Sequence, residues 1–378
     1  MNIEVAKQDL EAALKVVSTT VGSGSDLSSH YLFRVREGKA EVLSYDMRVF
    51  SLAPFTATID GEDGDAFTVE AWRLDKWISS VGDGVLTLGS DKKGEVIAKG
   101  PRSRVKLRSL DASRFPFWDG LLSDSASMGS VSPGVLYRAV NFSKNFVSAD
   151  DTNRPELCQI EAVDGLMQAT NRRAVSCVTV RDLPDLALRV PGKDIPTMLR
   201  FLSDKNTQEN GVDLLQAVRE GNTAAIILRR PDGSYVGFSR PTAALPKLPV
   251  DVEKAEVTMT LNIDEFMDAV AVLLSSAPKG QETVTFSSKD GSLVVSMPSD
   301  AGGVDEYPLV VSQEDGLGEQ TFALDYSYIK SIADQFDLDD MLLGVHRRGR
   351  GGYVSFMHED DATNQTGNQY HTVIVWHA

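Results

Sequence analysis

The chain has no G-x-S-x-G elbow, no P-loop, no H-E-x-x-H and no Cys-x-x-Cys pair. The usual constellations for acyl transfer, nucleotide binding, zinc hydrolysis and dithiol chemistry are therefore absent. Gly22-Ser23-Gly24 lacks a third glycine and follows a helical pattern rather than a strand, which excludes a dinucleotide cradle. Cysteine is down to Cys158 and Cys177, both in strand-like segments, and a reducing compartment would keep them as buried thiols. The histidines are His30, His346, His358, His371 and His377; only His371 and His377 could share a strand face, too thin a set for a metal site. No metal or cofactor is implied. No apolar run reaches the roughly 18 residues needed to span a bilayer. The opening MNIEVAKQDLEAALKVV carries no secretion signal, so the expected location is the cytoplasm. Positive charge is also scarce: 38 Lys and Arg face 54 Asp and Glu, for a net charge of −16 and a pI near 4.8. On its face that argues against nucleic acid.

What the chain does have is repetition. One helical stripe runs Leu10, Ala13, Leu14, returns as Leu136, Ala139, Val140, and again as Phe266, Ala269, Val270. A second stripe follows each copy after about 60 residues. It is Val69, Leu74, Trp77, Ile78, Val81, then Val190, Ile195, Met198, Leu199, Leu202, then Leu324, Ile329, Ile332, Ala333, Phe336. One buried helix always shows a stripe, but two in the same order, three times, point to duplication. A length of 378 residues suits three domains, each with its own core.

Short strands with turn punctuation fill the space between the helices. Tyr31 to Val35 and Ala40 to Ser44 form a hairpin around Glu37-Gly38-Lys39, and a meander follows each second helix. The expected class is α+β, three tandem copies of a domain with two helices on one face of an antiparallel sheet. Pro, Gly and Ser cluster at Phe115 to Pro133 and at Leu245 to Glu256, which sets domains at 1–122, 123–250 and 251–378.

Charge is unevenly spread. Lys7, Lys15, Arg73, Lys76, Arg138, Lys144, Lys193, Arg200, Lys205 and Lys330 on or beside the helices balance an equal number of acids there. Strands and loops therefore hold essentially all of the negative excess. A basic helical face on an acidic body suits a protein of which one surface meets phosphate; soluble helices rich in lysine are the plainer reading. The third copy is the exception, because its first helix presents Asp264, Glu265 and Asp268.

Three tandem two-helix domains in an acidic chain of this length resemble the bacterial DNA polymerase III β subunit, the sliding clamp. RSRVKLRSLDASRFP (102–116) is similar to the segment that ends that family's first domain. MQATNRRAVSC (167–177) is similar to its "VATDGHRLAVC" strand, and RVPGKDIPTMLRFL (189–202) to its "VPRK…ELMRML" helix. The resemblance runs end to end. It departs at Asn171-Arg172-Arg173, one residue shorter than Asp-Gly-His-Arg, and at the final VIVWHA. Those departures fit a divergent clamp such as one carried by a virus of bacteria.

The resemblance implies a processivity factor without a catalytic site. Two chains would close head to tail into a homodimeric ring around duplex DNA, with helices lining the hole. It implies DNA-facing cations at Lys15, Arg73, Lys76, Arg138, Lys144, Lys193, Arg200, Lys205 and Lys330, holding the duplex through phosphates and so without sequence preference. It implies a groove for short peptides of the polymerase, the clamp loader and other partners, formed by Leu157, Thr170, Arg172, Arg173, Pro246, Thr372 and Ile374. Dimer contacts would fall on Val105, Leu107, Leu273 and Leu274, and edge strands would pair between chains. The alternatives are a scaffold protein that reuses the tandem fold without DNA, and an enzyme whose site carries no known motif.

Overall fold

The structure is a computed structural model. It describes residues 1–24, 26–90, 95–115, 125–149, 152–180, 183, 188–219, 222–239, 241, 243–246, 255–289, 292–309, 312–313, 321–348, 351–359 and 368–377. Parts of both expected linkers, 116–124 and 247–254, lie outside the described residues.

The first third runs β1 (Asn2–Ala6), α1 (Lys7–Val17), β2 (His30–Arg36), β3 (Lys39–Tyr45), β4 (Val49–Phe55), β5 (Thr58–Asp60), β6 (Ala66–Glu70), α2 (Ala71–Ser80), β7 (Val85–Ser90), β8 (Val96–Gly100) and β9 (Ser103–Leu107). The second runs β10 (Ser125–Val131), α3 (Pro133–Ser143), β11 (Gln159–Val163), β12 (Leu166–Thr170), β13 (Ala174–Thr179), β14 (Leu188–Pro191), α4 (Ile195–Ser203), α5 (Lys205–Asn210), β15 (Val212–Arg219), β16 (Asn222–Arg229) and β17 (Tyr235–Ser239). The third runs β18 (Val257–Asn262), α6 (Ile263–Leu274), β19 (Thr283–Lys289), β20 (Ser292–Pro298), β21 (Val304–Leu309), β22 (Ser312–Gln313), β23 (Thr321–Asp325), α7 (Tyr326–Phe336), β24 (Asp340–Arg348), β25 (Gly351–Glu359) and β26 (Gln369–His377). Without β5, β22 and α5, each third is the same string: strand, helix, four strands, helix, three strands. This α+β repeat is the expected one, and no described helix is long and apolar enough to cross a membrane.

The stripes read from sequence are the buried faces. α1 buries Leu10, Ala13, Leu14 and Val17, and α6 buries Phe266, Ala269, Val270 and Leu273. Starts are set by caps: Asn262 Oδ1 accepts from the Glu265 N–H at 3.0 Å, and Asp325 Oδ1 from the Ser327 N–H at 3.0 Å. α5 has no apolar stripe and starts where Asp204 Oδ1 accepts from the Asn206 N–H. The β2–β3 turn uses Glu37 and Gly38 at φ of 50° and 71°, the left-handed pair that a two-residue hairpin requires.

The chain forms two compact units. The first comprises Met1–Gly134 with Lys193–Pro241, the second Val135–Gly192 with Thr242–Ala378. In the first unit one sheet is ordered β5-β1-β7-β8-β9 and the other β10-β15-β16-β17-β4-β3-β2-β6. Its larger core gathers Tyr31, Phe33, Leu74, Trp77 and Leu88 under α1 and α2. The β17–β4 ladder fuses strands of the first and second thirds, with Gly237 opposite Phe50. A Cβ on Gly237 would stand 2.1 Å from the Phe50 ring, so only hydrogen fits there. In the second unit β14-β11-β12-β13 continues through β26, with β25, β24 and β18 beyond it, and β23-β19-β20-β21 joins at a single bridge, Ala323 to His377.

Candidate functional site

The helical cations come in two kinds. Lys15 on α1 donates to Asp204 Oδ2 at 2.8 Å, and Arg230 reaches Asp204 Oδ1 at 3.0 Å while its guanidinium lies 5.4 Å from the Phe201 ring centre. Burial pushes the Asp204 carboxyl up, but the hydrogen bond and charge of Lys15, then the charge of Arg230, bring it below its ordinary value. Arg73 pairs with Glu70 at 2.7 Å and lies 5.1 Å from the ring of Trp72, which is 56% exposed. Lys205 pairs with Glu209 at 3.7 Å and Lys330 with Asp334 at 3.2 Å; Lys144 donates to Asn141. By contrast Lys76, Lys193 and Arg200 are exposed with no carboxylate within 4.0 Å among the described residues, and Arg138 is half-buried. The Lys205–Glu209 and Lys330–Asp334 pairs are exposed on both sides and stabilise by about 0–1 kcal/mol, so a phosphate can take those cations at small cost. Lys15, Arg73, Lys76, Lys193, Arg200 and Lys205 belong to the first unit; Arg138, Lys144 and Lys330 belong to the second. On α6, Asp264 and Asp268 are exposed, and Asp264 and Glu265 fill the first turn, where they favour the helix dipole.

Of the residues expected to form a peptide groove, Thr170, Arg172 and Arg173 lie at the β12–β13 turn of the second unit, and Thr372 and Ile374 on the adjoining β26. Asn171 Oδ1 accepts from the N–H groups of Arg173 and Ala174 at 3.0 Å each, and Arg172 takes φ of 77°. Asn171 thereby closes a tight Asx turn. Arg172 and Arg173 point outward as exposed side chains, while Thr170 is buried with its hydroxyl on the Ala174 carbonyl. β26 follows β13 in register, Ala174 opposite Ile374 and Ser176 opposite Thr372. The Thr372 and Ser176 hydroxyls are both buried, with no hydrogen-bond partner among the described residues. Leu157, in a one-turn helix before β11, is buried too. The segment bearing exposed Pro246 is fastened to β11: Gln159 Nε2 donates to the Ala243 carbonyl at 2.8 Å, and the Leu245 N–H donates to Glu161 Oε2 at 2.7 Å. Glu161 also pairs with Arg189. Sequence reasoning missed this tether, and missed Tyr328, whose hydroxyl accepts from Asn171 Nδ2 at 2.5 Å. A polar residue at the start of a helix is no signal of a contact 157 positions away.

The last candidate surface is made of strand edges. β9 ends one sheet of the first unit and β21 ends the sheet of the second. Val105 is half-buried and Leu107 is 6% exposed, while Arg104 and Lys106 on β9 face out. Glu306 on β21 faces out as well. On α6, Leu273 is only 2% exposed and Leu274 half-buried, whereas the neighbouring Val272 is 56% exposed.

No protein-family model matches the chain. No curated protein matches it either. Solved structures do. The DNA polymerase III subunit beta of Pseudomonas aeruginosa superposes at a TM-score of 0.80 with 16% identity, covering 100% of this chain and 99% of that one. The DNA polymerase sliding clamp of Caulobacter crescentus gives 0.79 with 17% identity and full coverage of both chains. The DNA polymerase III beta subunit of Thermotoga maritima gives 0.80 with 14% identity, covering 100% and 99%. The chain thus has the sliding-clamp fold from end to end.

Proposed function

We propose that this protein is a DNA polymerase processivity factor, a non-catalytic clamp of domains 1–122, 123–250 and 251–378 that closes as a homodimer around duplex DNA in the cytoplasm. The observation that carries the reading is the threefold string of elements, with β9 and β21 among the sheet ends left open to a second molecule. Closure would hold the protein on DNA by topology, so the cations need only attract phosphate weakly and evenly. That suits a set in which Lys15, Arg73, Lys205 and Lys330 already share their charge with a carboxylate of their own chain. The groove around Arg172, Arg173, Pro246, Leu157, Thr170, Thr372 and Ile374 would take the anchor peptides of the polymerase, the clamp loader and other partners. The structure of the Bartonella birtlesii clamp is of that protein bound to griselimycin.

The test is the salt dependence of duplex binding. Replacing Lys76, Lys193 and Arg200 by alanine should flatten the plot of log affinity against log salt by about 0.9 for each phosphate no longer neutralised, equally on unrelated sequences. A slope unchanged in the triple variant would take those helices away from DNA and favour the scaffold alternative.

A further inference from the structure

Helix α2 carries two tryptophans with opposite surroundings. Trp77 belongs to the buried stripe with Ala71, Leu74 and Ile78; it is 8% exposed, and its indole N–H donates to Ser103 Oγ at 3.2 Å. Trp72 stands off that stripe and is 56% exposed. One exposed apolar side chain is ordinary. The repeat shows that this one is not a demand of the fold. Counting back two residues from the matched stripe members Leu74, Ile195 and Ile329 gives Trp72, Lys193 and Ser327, all exposed. The second and third copies therefore put a polar group where the first puts an indole. Lys76, two residues after Leu74, is matched by Thr197 and Ser331, so the aromatic ring and a lysine one turn beyond it occur together in the first copy alone.

Positive charge flanks the ring. The Arg73 guanidinium lies over Trp72 at 5.1 Å from the ring centre and pairs with Glu70 Oε2 at 2.7 Å. Lys76 lies four residues beyond Trp72 on the same helix face, exposed and with no carboxylate within 4.0 Å among the described residues. Asp75, the acid beside it, accepts from the Tyr31 hydroxyl of β2 at 3.0 and 3.1 Å. A paired duplex presents phosphates and keeps the faces of its bases stacked inside, so an indole gains little from it that a lysine would not supply better. An unpaired base offers its π-face, and all four bases have one. An indole with a guanidinium over it and an ammonium one turn away matches such a base and its phosphate in both shape and charge.

Resting on the clamp reading, we infer that Trp72 is a stacking site for one unpaired base of single-stranded DNA beside a duplex, with Lys76 on the adjoining phosphate and Arg73 backing the ring. Lys76 attracts phosphate whether the strand is paired or not; Trp72 tells the two apart. The site favours gaps over continuous duplex and does so without reading sequence, because stacking on an indole tolerates every base.

The test compares an intact duplex with the same duplex carrying a short single-stranded gap. The wild-type protein should bind the gapped form about tenfold more tightly, the lower part of the range for one base stacked on an aromatic ring. Trp72→Ala should abolish that preference, and Trp72→Phe should keep most of it. The salt slope on intact duplex should not move in either variant, because an indole neutralises no phosphate. Alanine suits an exposed helical position, so folding is preserved. A 2-aminopurine placed in the gap should lose fluorescence on binding the wild type and keep it with Trp72→Ala. Equal affinity of the wild type for both DNAs, or a gap preference that survives Trp72→Ala, would overturn the site. So would a lower mass of Trp72→Ala in light scattering, which would put the ring between subunits. The clamp reading is judged separately, by whether the wild-type protein stays on circular duplex. Retention without a gap preference removes the stacking site alone; a gap preference that depends on Trp72, without retention, upholds the site and removes encirclement.

Discussion

Phe142→Ala should cost the second unit about 3–5 kcal/mol, the range for removing a large, fully enclosed aromatic ring. Phe142 is 0% exposed and lies among Phe146, Phe336 and Tyr370, with ring centres at 5.3, 5.5 and 5.2 Å. Tyr370 meets it edge-on at 73°, a geometry that adds about 0.5–1.5 kcal/mol to the area term. The ring also ties α3 to α7, since Asn141 Nδ2 donates to Gln335 Oε1 at 2.6 Å one residue away. Urea unfolding should show a lower midpoint at unchanged slope, with faster amide exchange in both helices. A loss below about 1 kcal/mol would mean that the cluster is far looser than its ring distances imply.

Arg48→Ala should cost the first unit about 3 kcal/mol, because it leaves a buried carboxylate without its cation. Asp194 is 3% exposed, and its second oxygen has no hydrogen-bond partner among the described residues. Arg48 itself is 41% exposed, which holds the effect at the lower end of the range for buried pairs. Burial raises the Asp194 carboxyl above its ordinary value, against the pull of Arg48. Without Arg48 it should rise further. A group raised in the folded state binds its proton more tightly there than in the unfolded chain, so its contribution is fully present at low pH and is lost as pH rises through the folded value. The deficit of Arg48→Ala should therefore be largest at neutral pH and narrow on acidification toward the carboxylate range. Asp194→Asn in the same background should recover most of the loss at neutral pH. A deficit that does not change with pH would show that Asp194 is not the group responsible.

The repeat was legible because helix stripes are local: Leu10, Ala13 and Leu14 face one core for the same reason as Phe266, Ala269 and Val270, the 3.6-residue period. The hairpin at Glu37 and Gly38 was legible for a similar reason, since a left-handed pair needs its own residues. Leu199 was the weak member of its stripe; it is half-buried, while Phe201 one position outside the pattern is 6% exposed. α5 was invisible because KNTQEN has no apolar face and depends on the Asp204 cap. The partners of the cations were harder still. Lys15 and Asp204 stand 189 positions apart, and nothing local in either helix announces the pair. The same holds for the tether from Gln159 and Glu161 to Ala243 and Leu245, which spans 84 positions. The residues expected to form a peptide groove could be named only through family resemblance, because no local pattern links two strands and a linker.

The most direct measurement compares retention on nicked circular duplex with retention on the same DNA after linearisation, in salt high enough to screen phosphate contacts. A closed ring of three-domain chains should remain on the circle through gel filtration and fall off the linear form by sliding over its ends. Equal loss from both, or equal retention on both, would contradict encirclement.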